Sequence, residues 1–125
     1  EHDRFHEVDQ NLAEARAMLP RLMDAVDSPL PTEEILYRFV RATVRYMLRE
    51  TGFQRALFDI SLKDRRVWRQ QQDHHQYVGD MLIDFLVARK ELPAADEALR
   101  YRGRFAMRVV FGVVQTLLLI GPGPY

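Results

Sequence analysis

The sequence predicts an all-α fold, an antiparallel helical bundle of four main helices and one short connecting helix. Apolar residues recur at helical spacing in four stretches of the 125-residue chain, and alternation of apolar and polar residues never persists for more than a few positions. The chain contains no Asn-Gly or Asp-Gly pair, the strongest short signal for a β-hairpin. Four helical stretches joined by short connections are typical of an antiparallel bundle.

The first predicted helix covers residues 6–26. Its apolar positions recur at helical spacing from Val8 to Val26. Pro20 lies inside this stretch, and a proline within a helix removes a backbone hydrogen bond and clashes with the preceding turn. We therefore expect a kink or a break near Leu19.

The second predicted helix covers residues 33–51, and a short connecting piece follows at 53–62. Thr32 is the predicted N-cap, because its hydroxyl can accept a hydrogen bond from the free N–H groups of the first turn. Two glutamates follow it at the positive helix start. Gly52 is the predicted C′ residue, the position at which glycine most often ends a helix.

Two long helices complete the predicted bundle, over residues 64–91 and 96–120. Leu92-Pro93 ends the first of them, and Gly121-Pro122 ends the second. By its length the chain is one domain, residues 1–125.

Composition and motifs argue against several classes of function. The formal net charge is zero, so nothing favours nucleic acid or an anionic membrane as a direct partner. The chain has no cysteine, no glycine-rich phosphate loop, no G-x-S-x-G and no H-E-x-x-H motif. It also lacks the Glu-x-x-His pairs of carboxylate-bridged di-metal bundles. We therefore predict no enzyme activity, no cofactor and no metal site.

The sequence also predicts a cytoplasmic protein without a membrane span. It opens with charged residues instead of a signal peptide. Its most apolar stretch, 109–120, is shorter than the roughly 20 residues that a bilayer requires. Because the first residue is Glu1 and not methionine, we expect the chain to begin partway into a longer protein.

Polar side chains occupy the apolar side of the 64–91 helix. Gln71 and His75 lie in the middle of that side, His74 lies at its edge, and Thr43 holds the equivalent place on the second helix. A buried amide or imidazole without a hydrogen-bond partner is strongly unfavourable. These groups therefore either satisfy one another and pocket water, or line a cavity for a small molecule. The lining of such a cavity would be Phe39, Thr43, Tyr46, Trp68, Gln71, His75 and Phe85.

The 96–120 helix is apolar on more sides than one core requires. Arg104, Arg108 and Gln115 fall within a narrow arc, and apolar side chains cover most of the remaining circle. A helix packed against a single core needs an apolar stripe of only about 100°. Either the rest of the chain surrounds this helix completely, or a second copy covers its other side in a two-fold dimer. The dimer is the interpretation that the sequence favours.

The order of these elements resembles the effector-binding and dimerisation domain of the tetracycline-repressor (TetR) family of transcriptional regulators. Two stretches carry the resemblance, LPRLMDAVDSPLPTEEILYRFVRATVRYMLRETGFQRALFDIS and VGDMLIDFLVARKELPAADEALRYRGRFAMRVVFGVVQ. The first is similar to that family's helix, proline-bearing loop and second helix. The second is similar to its long helix, a short "L-P-x-x-D" turn and the helix of its dimer seam.

This resemblance implies a bacterial regulator whose pocket binds a small apolar or aromatic effector and whose dimer spaces two DNA-reading heads. The family's N-terminal helix-turn-helix head is not among these 125 residues, so we expect operator DNA to be a partner only through a part outside them. The resemblance implies that Thr43, Tyr46, Trp68, Gln71, His75 and Phe85 face the pocket. The resemblance also implies that Phe111, Gln115 and Leu118 face the partner subunit. The full expected interface is Arg104, Arg108, Phe111, Gln115 and Leu118.

Two functions are therefore carried forward. The first is effector sensing by a homodimeric regulatory domain. The second is a helical protein-interaction module that binds no small molecule and uses its last helix to dock another protein.

Overall fold

The computed structural model describes residues 4–17 and 20–120, which form six helices and contain no strand. The helices are α1 (Arg4–Ala17), α2 (Pro20–Asp24), α3 (Thr32–Arg49), α4 (Thr51–Lys63), α5 (Arg65–Ala88) and α6 (Glu97–Ile120). The all-α class predicted from the sequence is thus confirmed for the described residues.

The first predicted helix is two helices, with α1 ending at Ala17 and α2 beginning at Pro20. The break expected near Leu19 falls on residues 18–19, which lie outside the described residues. A proline is well tolerated at the first position of a helix, because the N–H that it lacks would have no intrahelical acceptor there.

Three predicted helix ends are corrected by the structure. Thr32 is the first residue of α3 instead of its cap, and its hydroxyl donates to Glu91 Oε1 at 2.6 Å. Gly52 lies inside α4 and does not terminate α3, whose last backbone bond runs from Glu50 N to Tyr46 O. Asp64 is the N-cap of α5, where its carboxylate accepts from Arg66 N at 2.9 Å.

Helix α5 ends at Ala88, three residues earlier than predicted. Lys90 adopts the left-handed backbone region with φ 64°. Its N–H donates to Val87 O, and that of Glu91 donates to Leu86 O, each at 2.9 Å. These two bonds form a Schellman motif, which satisfies the last carbonyls and turns the chain away from the helix axis.

Arg89 ties the segment between α2 and α3 to this end of α5. Its guanidinium donates to four backbone carbonyls and to the Thr32 hydroxyl, at distances of 2.8–3.2 Å. The carbonyls belong to Ala25, Val26, Ser28 and Leu30. A planar guanidinium with five donors can satisfy several carbonyls at once, so this side chain orders a connection that has no regular structure.

Helices α5 and α6 cross with their backbones in close contact. A Cβ built on Gly79 would lie 2.8 Å from Arg104 Cα, and one on Gly103 would lie 2.6 Å from Ile83 Cγ1. Only glycine fits at two such positions, because it has no side chain to separate the helices.

Ion pairs set the register on both sides of this crossing. Arg104 donates two hydrogen bonds to Asp80, at 3.1 and 3.2 Å, and Arg100 donates to Asp84 at 3.0 Å. The hydrogen bond that Arg100 donates to Asp84 is the largest cause of the raised pKa of Arg100. The later residue on α5, Asp84, pairs with the earlier residue on α6, Arg100, so the two helices are antiparallel.

The predicted antiparallel arrangement does not extend to every helix. Helix α3 also runs antiparallel to α5, because its first turn contacts Arg89 whereas Met47 near its end packs with Val78. Helix α1 runs parallel to α5. Asp9 accepts a hydrogen bond from Gln70, and the Arg16 guanidinium lies over the Tyr77 ring seven residues later on both helices.

Within the described part of the chain, none of the helices combines the length and the apolar character needed to cross a bilayer.

We predict that Gly79→Ala destabilises the protein by about 1–3 kcal/mol, the usual range for overpacking. Alanine is the better helix former by up to about 1 kcal/mol, so any loss comes from the clash with the α6 backbone. Urea denaturation of the two proteins measures the difference. Gly52→Ala is the matched control, because no atom lies within 4 Å of its added Cβ, and it should be neutral or stabilising. Equal stability of Gly79→Ala and Gly52→Ala would contradict the close crossing.

Candidate functional site

A cavity of about 370 Å³ lies between the helices. All six helices and the 25–30 connection contribute to its lining. Its apolar wall comes from buried and half-buried side chains, among them Leu22, Ile35, Phe39, Met47, Leu57, Val78, Met107, Val110, Phe111 and Val114. The volume lies within the range of roughly 300–1,000 Å³ that small-molecule sites occupy.

The cavity opens to the surface beside α2 and α3. Arg21, Arg38 and Ala42 line it and are themselves exposed. Arg38 forms an ion pair with Glu34, one turn earlier on α3, at 3.0 Å. Of the described residues that line the cavity, none is an aspartate or a glutamate, so the charge of the lining is basic.

Three polar residues of α5 form the inner polar part of the lining. Gln71, His74 and His75 are each more than nine-tenths buried. The His75 ring stacks on Phe111, with ring centroids 4.2 Å apart and an angle of 13° between the planes. His74 is tilted against the same phenylalanine at 6.1 Å. The α5 histidines are thus held against α6 by an aromatic contact.

Burial keeps both histidines neutral near pH 7. Desolvation is the largest cause that lowers the pKa of His74 to about 4, and the neighbouring His75 and Arg16 add to it. Desolvation likewise lowers the pKa of His75 to about 4, with the charge of Arg108 as the second cause. A neutral imidazole carries one donor and one acceptor nitrogen.

Two of these buried side chains have an unsatisfied polar atom. Gln71 Nε2 and His74 Nδ1 have no hydrogen-bond partner among the described residues. Thr43 differs from them, because its hydroxyl donates to Phe39 O at 3.0 Å within its own helix. The sequence left open whether the core polar groups satisfy one another. Thr43 is satisfied within its own helix, whereas Gln71 and His74 each have a buried polar atom without a partner among the described residues.

Five of the seven residues predicted to line a pocket do line the cavity: Phe39, Thr43, Tyr46, Gln71 and His75. The other two positions are corrected. Trp68 is 50% exposed on the first turn of α5. Phe85 is fully buried but packs with Leu22 and Ile35 beyond the cavity. Trp68 and Phe85 belong to the apolar side of α5 that the sequence predicted. The cavity extends along α5 only from Gln71 to Val78, so it reaches neither of them.

The residues predicted to face a partner subunit are separated by the structure. Phe111 is buried against His75, and Gln115 lines the cavity, so both lie on the inner side of α6. Arg104 is paired with Asp80 of the same chain, whereas Arg108 is exposed. Leu118 belongs to α6, and its side chain lies outside the described part of the structure.

Sequence reasoning missed the contribution of α6 to the cavity. Met107, Phe111 and Val114 follow one another at steps of four and three residues, the spacing of an inward-facing stripe. His74 was placed at the edge of the apolar side but is buried. The sequence signal for its burial was its position next to His75, which was already placed in the middle of the apolar side.

A second apolar stripe follows the outer side of α6. It consists of Tyr101, Phe105, Val109, Val113 and Leu117, each 50–69% exposed. We call this set the α6 stripe. Its members recur every four residues, so they form one ridge along the helix. The described residues of the chain leave the α6 stripe exposed. Within the described part of the structure, α6 is therefore not surrounded completely by its own chain, which was the alternative to a dimer.

No group of three or more histidine, cysteine, aspartate or glutamate side chains comes together among the described residues in a way that could hold a metal ion. The chain matches no protein-family model, no curated protein and no solved structure.

We predict that the protein loses stability as the pH falls from 7 to 5. A histidine with a lowered folded-state pKa is neutral when folded but takes up a proton when unfolded, so its contribution is present above about pH 6.5 and declines toward pH 4. For pKa values of about 4 in the folded protein, the loss at pH 5 is roughly 2 kcal/mol for each imidazole.

Urea denaturation at pH 7 and pH 5 measures this loss. His74→Leu should retain about half of it, because His75 still titrates, and the difference between the two proteins removes the contribution of carboxylates that both share. A loss of the same size in His74→Leu and in the wild-type protein would show that His74 is already protonated or exposed when folded.

Proposed function

We propose that this chain is the effector-sensing and dimerisation domain of a TetR-like bacterial transcriptional regulator. A small apolar or aromatic molecule would bind in the cavity, and a second copy of the chain would pack against the α6 stripe. DNA binding would belong to a helix-turn-helix head outside these 125 residues, in a cytoplasmic protein. The observation that carries the proposal is the cavity, with its apolar wall and its few convergent polar groups.

The chemistry of the lining supports a small-molecule ligand. Apolar side chains from α3, α5 and α6 form most of the wall, and Gln71, His74 and His75 supply polar groups on one side. A pocket of this kind binds through burial of apolar surface and selects through a small number of hydrogen bonds. The opening near Arg21 and Arg38 offers a route of entry.

The α6 stripe supports a second copy as the partner. Complete burial of one large apolar side chain contributes roughly 1.5–3 kcal/mol, so five half-exposed side chains offer several kcal/mol, from which the entropy of association is subtracted. A continuous ridge on one helix can pack into the grooves beside the same ridge of a second copy, as in a two-fold interface. Gly112 lies within this side of α6, exposed and with nothing near it, and would allow close approach of another helix.

One helix links the two proposed sites. Met107, Phe111 and Val114 face the cavity, whereas Phe105, Val109 and Val113 face outward from the same α6. A ligand that contacts Phe111 more favourably in one position of α6 than in another would shift the helix together with its outer ridge. Such a shift requires different affinity of the ligand for the two arrangements.

The alternative function is a helical protein-interaction module. The exposed α6 stripe favours it as much as it favours a homodimer, since a different protein could cover the same ridge. The two functions differ in the cavity, which the interaction module would leave without a ligand.

We predict that uncharged aromatic compounds of up to about a dozen non-hydrogen atoms, naphthalene among them, raise the melting temperature. A ligand present at 100 times its Kd stabilises the folded state by about 2.7 kcal/mol. Differential scanning calorimetry is the suitable measurement, because Trp68 lies outside the cavity and reports poorly on it. Val114→Phe, which fills part of the cavity, should abolish the effect, whereas Val87→Phe makes the same change on α5 away from the lining and should keep it. A broad panel without any stabilising compound would favour the interaction module.

We predict that Phe105→Glu converts a dimer into a monomer. The substitution places a charge within the α6 stripe, where a partner would have to desolvate it. Tyr37→Glu is the matched control, because Tyr37 on α3 is as exposed as Phe105, at 59%, but lies on another helix. Sedimentation equilibrium should show dimers of the wild-type protein and of Tyr37→Glu. A wild-type chain that stays monomeric at high concentration would overturn the homodimer.

A further inference from the structure

We propose that the cavity binds an uncharged apolar compound bearing one hydroxyl group, and that Gln71 and His74 anchor this hydroxyl. The inference rests on the proposed function, since it names the chemical class of the ligand. It starts from two buried polar atoms of cavity-lining residues, Gln71 Nε2 and His74 Nδ1, which have no partner among the described residues. Each atom lies just beneath the cavity surface, and a rotation of its side chain would turn it toward a bound molecule.

The two side chains are neighbours on α5. Gln71 and His74 are three residues apart on α5, and side chains at this spacing are neighbours on one face of a helix, with Cβ atoms about 5–6 Å apart. Both residues line the cavity and are more than nine-tenths buried. A small polar group beside this face of α5 can therefore contact both.

A hydroxyl matches the hydrogen-bonding character of both atoms. Gln71 Nε2 is a donor, so the group must accept a hydrogen bond. His74 Nδ1 is an acceptor or a donor according to the tautomer of the neutral ring, and a hydroxyl oxygen serves both cases, because it donates to the bare nitrogen or accepts from the N–H. A carbonyl oxygen serves only one tautomer, and an ammonium group cannot accept from Gln71 at all.

The charges around the cavity disfavour a cation, and burial at the polar groups disfavours an anion. The described residues of the lining contain Arg21 and Arg38 at the opening and no carboxylate, so a cation has no counter-charge. Two further positive charges, Arg16 near His74 and Arg108 near His75, lower the pKa values of these histidines and would also repel a cation. A carboxylate inserted as far as Gln71 would exchange water for neutral partners, and an ion without a paired charge is costly to bury.

The size of the cavity limits the rest of the molecule. At about 30 Å³ for one water in the liquid, 370 Å³ corresponds to roughly a dozen small atoms or waters. Flat rings suit a wall in which the His75 and Phe111 rings already stack. A two-ring aromatic alcohol is therefore a suitable probe.

Isothermal titration calorimetry at pH 7 with 2-naphthol, naphthalene and 2-naphthoate tests the proposal. The wild-type protein should bind 2-naphthol about tenfold more tightly than naphthalene, the gain from one to two neutral hydrogen bonds. Gln71→Leu and His74→Leu should each reduce this preference several-fold while binding naphthalene at least as well. Neither variant is expected to fold poorly, since each removes a buried polar atom without a partner. Gln72→Leu, on the next residue of α5 outside the lining, should keep the full preference.

Three other results of this titration would each disprove a different part of the proposal. Equal affinity for 2-naphthol and naphthalene, unchanged in Gln71→Leu, would disprove the anchoring of a hydroxyl but leave the proposed ligand-binding function intact. Tighter binding of 2-naphthoate than of 2-naphthol would disprove an uncharged ligand and point to the arginines at the opening. Failure of all three probes to bind, together with a panel that stabilises nothing, would overturn the proposed function itself.

Discussion

The arrangement of the bundle depends on the close contact of α5 and α6 at Gly79 and Gly103. The backbones meet there with no room for a side chain on either helix, and the Arg104–Asp80 and Arg100–Asp84 pairs hold the register beside them. Once this contact is made, the rotation of α6 about its axis is determined. Its Met107–Phe111–Val114 side faces the cavity, and the α6 stripe faces outward.

The same contact explains why α5 can present polar groups to the interior. One turn before the crossing, His75 stacks on Phe111. This aromatic side chain of α6 covers part of the imidazole. A small apolar residue in place of Phe111 would leave more of the imidazole exposed to the cavity. The histidines remain uncharged because burial and the nearby Arg16 and Arg108 both disfavour a second proton. The interior can therefore offer hydrogen bonds without carrying charge, a property that suits neutral ligands.

At the far end of α5, Arg89 performs a different task. By donating to the carbonyls of the 25–30 connection it holds the start of α3 against the end of α5. Side chains of α3 and α5 pack together at Met47 and Val78, and both helices also line the cavity. The cavity is reached from the surface beside α2 and α3, away from the contact of α5 with α6.

The sequence by itself determined the helical class, the positions of the helices to within a few residues, and the presence of apolar surface on more than one side of α6. These are properties of local spacing, turn residues and composition, which act along a single segment. Only the tertiary structure decided which side of α6 is buried, that Phe111 points inward, that Trp68 is exposed, and that Thr43 is satisfied whereas Gln71 and His74 are not. The physical reason is that burial and hydrogen-bond partners depend on which surface of a neighbouring helix a side chain meets, and here a backbone contact between two glycines far apart in the sequence selects that surface.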